Sequence, residues 1–354
     1  MNIMKRSFGF TAEGKEAYIY RLSNDSGAYI EVTNYGACLV SVVVPDQDRK
    51  LTDVVLGYDT LEEYEKGRAH FGAVIGRNAN RISQARAEIA GKVYQLAANN
   101  GENNLHSGPD NYEYRLWDEI ETDDGDNSVT FGLFSPDGDQ GFPGNFRIMV
   151  KYKFSRGNEV SLQYMGSSDA DTVANMTNHS YFNLNGHDQG CISDHWVKLK
   201  AQSFTPVKDS GAIPTGEILP VQKTAMDFTM GKVIEQDLDG DDEQIRYGGG
   251  FDHNFVCDHY SQGHKRVIAR VLGPKTGIVM EVLSDLPGVQ FYTGNFIREQ
   301  TGKNGCTYHR RDGLCLETQY FPNSVNEENF ESPALEAGKP YRTVTIYRFG
   351  VEKK

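Results

Sequence analysis

The feature that most restricts the fold of this chain is an alternation of apolar and polar residues that recurs along its length. Residues 16–46 show it as two alternating runs on either side of the turn-forming residues Asn24-Asp25-Ser26-Gly27, the pattern of a β-hairpin. Further strands are predicted wherever the same alternation returns between Gly-, Pro- and Asp-rich turns: residues 86–101, 128–169, 266–285 and 339–351.

Helical patterns are few and short. The best candidate is TLEEYEKG at residues 60–67, in which Thr60 is the expected N-cap and Glu63 stands three residues later. No alternation of strands with helices occurs, so a parallel nucleotide-binding sheet is not expected. We therefore predict an all-β fold, a large antiparallel domain that spans residues 1–354 with few short helices.

Charge and cysteine usage narrow the class of protein. Lys and Arg total 36 against 49 Asp and Glu, a net charge of −13, which disfavours a nucleic-acid or anionic-membrane surface. No run approaches the ~18 apolar residues of a membrane helix, and the first residues lack the apolar region of a signal peptide. The five cysteines are odd in number and far apart, without any CxxC pair: Cys38, Cys191, Cys257, Cys306 and Cys315. We expect a reduced, cytoplasmic protein without disulfides or a zinc site.

An acidic stretch at residues 235–244, EQDLDGDDEQ, has the composition of a calcium loop. It lacks the EF-hand ligand spacing and a helical flank. We expect a solvated loop there, and the sequence leaves open whether it binds a structural cation.

The stretch TNHSYFNLNG, residues 177–186, combines an apolar set with a polar and aromatic one. Read with the period of a strand, Phe182 and Leu184 belong to a core-facing side, whereas His179 and Tyr181 lie on the other side. Histidine titrates near neutral pH. The polar side is therefore a candidate for part of a functional site.

Other polar groups lie beside Gly or aromatic residues in strand context, and each has an ordinary structural explanation. His106 could be a loop histidine bonded to backbone, and Arg81 a surface charge or an ion-pair partner. Asp252 follows three glycines and could cap a turn. Glu317 lies in the apolar start of LCLETQYF, on the same side as Cys315, so that it is either on an exposed face or in a site.

Taken together, these dispersed residues fit an acid–base site on a sheet face. No pair has the close spacing of common zinc motifs, and no G-x-S-x-G elbow of a serine hydrolase occurs. Aromatic rings beside Asn, Asp, Gln and Arg are what a sugar needs, because its C–H face stacks on rings and its hydroxyls take fixed donors and acceptors.

Several motifs, in this order along the chain, resemble those of the aldose 1-epimerase (galactose mutarotase) family. They cover the chain from about residue 34 to its final strand: GRNANRI (76–82), NNLHSG (103–108), TNHSYFNL (177–184), FDHNF (251–255), PGVQFYTGN (287–295) and LCLETQYFPNSVN (314–326). The resemblance implies a β-supersandwich with an open sugar cleft. It also implies the interconversion of the α and β anomers of a free aldohexose, such as galactose or glucose, without a metal or organic cofactor.

The resemblance also implies roles for single residues. Glu317 is similar to the family's general base and His179 to its general acid. The implied substrate-binding residues are Asn80, Arg81, His106, Tyr181, Asp252 and Gln290. Asn78 departs from the family pattern, because a small or apolar residue is more usual there, but Asn80 and Arg81 are in place. The first thirty residues carry no such motif.

Opening a hemiacetal requires one proton removed from the C1 hydroxyl and one delivered to the ring oxygen. An ionised Glu317 suits the first task and a protonated His179 the second, with the carboxylate expected to favour the charged imidazole. His106 and Arg81 are expected to stabilise charge at the ring oxygen.

Other functions stay open at this point. One is a carbohydrate-binding protein that lacks catalysis, and another is an epimerase of hexose 6-phosphates. A third is a polysaccharide lyase or a glycosidase with Asp252 and Glu317 as its two carboxylates. The expected partner is a small sugar, and the chain is expected to be a monomer or a homodimer.

Overall fold

A computed structural model describes residues 1–352, mostly as short β-strands. The strands β1 to β29 are, in chain order, Asn2–Phe10, Glu16–Ser23, Tyr29–Thr33, Leu39–Pro45, Leu51–Asp53, Val74–Ile75, Arg81–Ile82, Arg86–Ile89, Lys92–Gln95, Asn104–Leu105, Asp118–Asp123, Ser128–Ser135, Phe146–Phe154, Glu159–Ser168, Thr172–Val173, Thr177–Asn178, Trp196–Leu199, Ser203–Thr205, Leu219–Pro220, Lys232–Val233, Asp252–Val256, Arg266–Leu272, Ile278–Ser284, Gly288–Tyr292, Gln300–Thr301, Thr307–Tyr308, Cys315–Gln319, Ala334–Leu335 and Pro340–Val351. The α-helices are α1, Leu61–Lys66, and α2, Glu243–Gly248. Across residues 1–352, these helices fall far short of the length that crossing a bilayer requires.

Three larger antiparallel sheets organise the strands. The N-terminal sheet has the order β1-β2-β3-β4-β5, and the central sheet has the order β11-β12-β13-β14-β29-β23-β22-β17-β20. The third, here called the cleft sheet, has the order β19-β18-β21-β24-β27. This confirms the predicted all-β antiparallel fold with few short helices.

Strand alternation builds the core between these sheets. Along β13, every second residue from Phe146 to Phe154 is buried, and the residues between them are exposed or half-buried. On this inner face the hydroxyl of Tyr152 donates to the carbonyl of Ala37 next to the N-terminal sheet, at 2.7 Å. The hydroxyl of Tyr347 lies 3.5 Å from the carbonyl of Leu316 in the cleft sheet. The central sheet therefore carries both other sheets on one apolar face, a sandwich.

The structure confirms the hairpin turn and the helix N-cap that the sequence predicted. Strands β2 and β3 pair across residues 24–27, as predicted. Helix α1 begins with the predicted capping box, in which the hydroxyl of Thr60 accepts the N–H of Glu63 and the Glu63 carboxylate accepts the N–H of Thr60. Both groups satisfy N–H donors that the first turn of a helix leaves unpaired.

The acidic stretch 235–244, predicted to be a solvated loop, makes several side-chain contacts with the rest of the protein. Asp237 accepts a hydrogen bond from Lys232, and Asp239 forms an ion pair with Arg311 at 2.8 Å. The side chain of Asp242 caps α2. These partners account for three of the carboxylates, which the sequence alone left without an assigned role.

The stretch 177–186 is not the continuous strand that its alternation predicts. Only Thr177 and Asn178 form a strand, β16, paired with β6. The backbone beyond them is still held on both sides, since the N–H of Phe182 donates to the carbonyl of Leu314, and Leu56 donates to Tyr181. Residues 172–187 are all buried, because one side of the segment packs in the core and the other faces a cleft.

Candidate active site

A cleft of about 430 Å³ opens on the side of the cleft sheet that faces away from the core. Seven of the eight residues predicted for the site line it: Asn80, Arg81, His106, His179, Tyr181, Asp252 and Glu317. They come from separate segments, which the antiparallel strands bring together. The cleft is therefore the candidate active site.

Glu317 is the central residue of β27, the edge strand of the cleft sheet. Leu316 and Thr318 face the core, and the latter bonds to Thr345 of the central sheet, so the alternation directs Glu317 into the cleft. Its side chain is 3% exposed, and none of the described residues donates a hydrogen bond to its Oε2. Burial, with a smaller effect of Asp252, raises the pKa of this carboxyl well above its usual value. Glu317 is therefore a buried carboxyl group with an unpaired oxygen, available to a ligand.

His179 stands opposite this carboxyl. Its Nε2 lies 3.7 Å from Oε2 of Glu317, and its Nδ1 lies 3.5 Å from the thiol of Cys315. Burial, followed by the charge of His70, lowers the pKa of His179 to about 3. The sequence predicted a protonated His179 beside an ionised Glu317. The structure corrects this prediction, because burial disfavours both the imidazolium of His179 and the carboxylate of Glu317.

His106 has a defined tautomer. Its Nδ1 accepts the backbone N–H of Asn80 at 3.1 Å, so the proton of the neutral ring is on Nε2. Burial, with the nearby charges of His70, His179 and Arg81, lowers the pKa of His106 well below its usual value. His106 therefore presents an N–H donor to the cleft.

Two of these residues adopt an unusual backbone conformation. Asn80 has φ 59° and His106 has φ 51°, in the left-handed region, which Asn and His adopt more often than most other residues that have a side chain.

The other predicted sugar-binding residues differ in whether their side chains line the cleft. The Nε of Arg81 donates to Oδ1 of Asn100 at 3.0 Å, and the ring of Tyr181 stacks on His179 at 5.0 Å between centroids. Gln290 is the exception among the eight, because it does not line the cleft. It lies behind Asp252 and donates its Nε2 to Oδ1 of that carboxylate at 2.7 Å, which orients Asp252.

Sequence reasoning missed several residues of the cleft. Tyr292 and Phe296 line it from within or just after the motif 287–295, and Phe296 is 64% exposed at the rim. Their aromatic character beside the motif was the available signal. His70 and Arg68 also line the cleft, but no motif or periodicity marked either of them.

Arg77 of the motif GRNANRI serves a different purpose. Its side chain is buried and donates to the carbonyls of Pro143 and Gly144 and to the hydroxyls of Ser135 and Thr172. It is thus a structural residue outside the cleft.

One group in the cleft has the composition of a metal site. A nitrogen of His106, a nitrogen of His179 and a carboxylate oxygen of Glu317 lie within 4.8 Å of one another. A metal-bound histidine keeps its proton on the other nitrogen, where it donates to an acceptor. Nδ1 of His106 faces the N–H donor of Asn80, so it cannot carry that proton. The donor set therefore does not fit a resident metal.

Comparison with known proteins agrees with this geometry. A sequence model of the family described as aldose 1-epimerase matches residues 18–348. The galactose mutarotase of Bos taurus is 41% identical over 323 residues, 91% of each chain. The aldose 1-epimerase of Escherichia coli K12 is 34% identical over 342 residues, 96% of this chain and 97% of the other.

Solved structures give the same result. An aldose epimerase homologue from C. elegans superimposes with a TM-score of 0.87 at 29% identity, covering 95% of this chain and all of the other. The galactose 1-epimerase of Lactobacillus acidophilus superimposes with a TM-score of 0.86 at 25% identity over the whole of both chains. With matched sequence, matched fold and a cleft built from the matching motifs, the chain belongs to the aldose 1-epimerase family.

Proposed function

We propose that this protein is an aldose 1-epimerase that interconverts the α and β anomers of free aldohexoses, with galactose and glucose as substrates. Membership of the family and the names of its relatives support this activity. The observation that carries the proposal is the buried pair of Glu317 and His179, whose Oε2 and Nε2 are 3.7 Å apart in a cleft large enough for a hexose.

The proposed chemistry needs two proton transfers and no net change in the protein. Glu317 takes the proton of the C1 hydroxyl as the ring C–O bond breaks, and His179 delivers a proton to the ring oxygen. Rotation about C1–C2 turns the aldehyde over, and the reverse transfers close the ring on the other face. Each group is expected to contribute about 10²–10⁴-fold.

The protonation states of the pair are compatible with this cycle. Neutral Glu317 and neutral His179 together hold the same number of protons as the charged pair that begins ring opening. A sugar hydroxyl that donates to the unpaired Oε2 of Glu317 would stabilise its ionised form. Sugar binding is therefore expected to move the shared proton towards His179.

The neighbouring residues have proposed roles in binding. The Nε2–H of His106 and the charge of Arg81 are proposed to stabilise the ring oxygen. Asp252, oriented by Gln290, accepts sugar hydroxyls. Tyr181 and Asn80 position His179 and His106 through their ring stacking and backbone contact.

The direct test is polarimetry. Purified protein should speed the decay of optical rotation of fresh α-galactose and α-glucose, in proportion to its concentration and beyond the buffer rate. Glu336→Gln, a change at an exposed glutamate, serves as the matched control for substitution of Glu317. A protein that binds galactose without altering the decay would be a carbohydrate-binding protein instead.

We propose a neutral sugar rather than a sugar phosphate as the substrate. A phosphate is usually held by a cluster of Arg or Lys or by a helix N-terminus. In the cleft, Arg81 bonds to Asn100 and Arg68 to the carbonyls of Glu65 and Gly67, and the net charge of −13 opposes anions. Values of kcat/KM for galactose and galactose 6-phosphate decide between the two, and a preference for the phosphate would overturn the proposal.

We also propose that no metal or organic cofactor is needed, since proton transfer alone completes the cycle. Activity should survive extensive chelation. Loss of activity that one specific metal restores would contradict this proposal.

We also make proposals on domain organisation, cellular location and oligomeric state. We infer a single domain over residues 1–354 and a cytoplasmic location, the latter because all five cysteines carry free thiols. The chain is a monomer or a homodimer, which light scattering after gel filtration measures.

A further inference from the structure

His70 and Glu113 form a buried pair at the edge of the cleft that the proposed chemistry does not use. Nδ1 of His70 lies 2.6 Å from Oε2 and 2.8 Å from Oε1 of Glu113, whose side chain is 4% exposed. Asn111 fixes this carboxylate, since it accepts the backbone N–H of Glu113 and its amide lies 3.3 Å from Oε1. The acceptor is thus in place independently of His70.

The pair is an ion pair with the proton on Nδ1. Burial alone would lower the pKa of His70, but the carboxylate of Glu113 outweighs it and raises that pKa. Burial alone would raise the pKa of Glu113, but the charge and hydrogen bond of His70 outweigh burial, and the pKa of Glu113 is lowered. The charged groups that face His70 are Glu113, Arg68 and, when protonated, the two neighbouring histidines.

The opposite edge of the His70 ring faces the cleft. The ring lies 5.1 Å from that of His106 and 5.3 Å from that of His179, between centroids. Its side chain is 23% exposed and lines the cleft. Because Nδ1 is taken by Glu113, Nε2 is the remaining polar atom of the ring, and it has no hydrogen-bond partner within residues 1–352.

We propose that His70, oriented by Glu113, is a further sugar-binding residue that donates its Nε2–H to a hydroxyl oxygen of the bound aldose. This rests on the proposed function. A purely structural ion pair would need no polar atom in the cleft. The ring of His70 is therefore fixed at Nδ1 by Glu113 and lines the cleft with a polar atom that has no partner among the described residues.

Two substitutions distinguish the contributions of the two ring nitrogen atoms of His70. In His70→Asn, the side-chain amide still reaches Glu113 in place of Nδ1, but nothing replaces Nε2. In His70→Gln, the longer side chain returns a donor to the position of Nε2. Asparagine also tolerates the left-handed backbone. His70→Asn therefore keeps the donor to Glu113 and loses the donor to the cleft, whereas His70→Gln does the reverse.

The inference predicts that KM for galactose, measured by polarimetry, rises about tenfold in His70→Asn, the cost of one lost charge-assisted hydrogen bond. The same substitution should leave kcat within about threefold, because the proton-transfer groups are untouched. His70→Gln should recover most of the affinity. His264→Asn, at an exposed turn, is the matched control and should behave as wild type.

Deoxy sugars identify the contact. Wild type, His70→Asn and the control are compared on 2-, 3-, 4- and 6-deoxygalactose. If His70 binds one hydroxyl, wild type and His70→Asn should have equal kcat/KM for the sugar that lacks it, and should differ for the other three.

The outcomes keep the two proposals apart. Wild-type protein that does not speed mutarotation ends the proposed function. Active wild type with an unchanged KM in a folded His70→Asn variant overturns the inference alone. An equal loss on all four deoxy sugars also overturns it, because that pattern means general damage to the cleft.

Discussion

The three histidines of the cleft are each held through Nδ1 by a different kind of group. The partners are the thiol of Cys315 for His179, the backbone N–H of Asn80 for His106 and the carboxylate of Glu113 for His70. A fixed Nδ1 sets the tautomer and the ring orientation, and so decides what Nε2 offers to a ligand. At the scale of single residues, then, the chemistry of this cleft depends as much on these partners as on the imidazoles.

Loss of either member of the catalytic pair should lower kcat by about 10²-fold or more, because each removes one general acid–base contribution. Glu317→Gln keeps the size of the side chain but cannot take a proton, and His179→Asn keeps a polar group but not an imidazole. Polarimetry measures kcat, and circular dichroism checks the fold. Near-normal kcat in a folded Glu317→Gln variant would end this assignment.

Cys315 is expected to set the tautomer of His179. Burial, with smaller effects of Glu317 and Asp252, raises the pKa of this thiol well above its usual value, so it stays protonated. We expect its sulfur to accept the Nδ1–H of neutral His179, which leaves Nε2 free to take the shared proton from Glu317.

Cys315→Ala should therefore lower kcat by roughly tenfold, about the worth of one hydrogen bond, and Cys315→Ser should restore it. Nitrogen-15 NMR of labelled histidine reports the tautomer directly. A packing effect alone would lower stability in both variants and leave the tautomer unchanged.

At the scale of elements, short strands place the chemistry and a short helix leads into it. Alternation in β27 puts Cys315 and Glu317 on the side of the strand that faces His179, where Glu317 lines the cleft, while Leu316 packs in the core on the other side. Helix α1 ends at Lys66, two residues before the cleft-lining segment that contains His70. A helix of six residues has little stability of its own, so its cap and its buried Leu61 and Tyr64 must hold it.

Thr60→Ala should lower the free energy of unfolding by about 1 kcal/mol, since it removes the N-cap acceptor. Thr60→Ser keeps the acceptor and should stay close to wild type. Urea unfolding followed by circular dichroism measures both. Equal stability of the three proteins would show that the capping box contributes nothing measurable to the fold.

At the scale of the whole molecule, burial of the cleft by three packed sheets and their loops controls its proton balance. The sandwich excludes water from both members of the pair, and this desolvation dominates the charge of either partner. Between the lowered pKa of His179 and the raised pKa of Glu317, the pair is expected to be neutral, with the shared proton on Glu317.

The pH dependence of kcat/KM should follow from these shifts, because it reports the free protein. Below the lowered pKa of His179, about 3, the pair gains a second proton. Above the raised pKa of Glu317, the pair loses the proton of the Glu317 carboxyl group. A bell is expected, with its acid limb near pH 3 and its alkaline limb above the usual range of a carboxyl group, and both limbs belong to the coupled pair. An acid limb near pH 6.5 would show that His179 is not desolvated as described.

Local sequence predicted much of this protein correctly. Alternation indicated the antiparallel strands, turn residues located the hairpin at residues 24–27, and Thr60 with Glu63 marked the start of α1. These features depend on neighbours within a few residues, so the sequence alone determines them. Motifs in order identified the family, and seven of the eight residues that they predicted for the site line the cleft.

What the sequence could not determine depends on long-range packing. Nothing local indicates that Gln290 lies behind Asp252, or that His70 meets a carboxylate 43 positions further along the chain. The charge of Glu317 and His179 was wrong at the level of sequence because a pKa depends on burial by distant segments, and only the tertiary structure sets that burial.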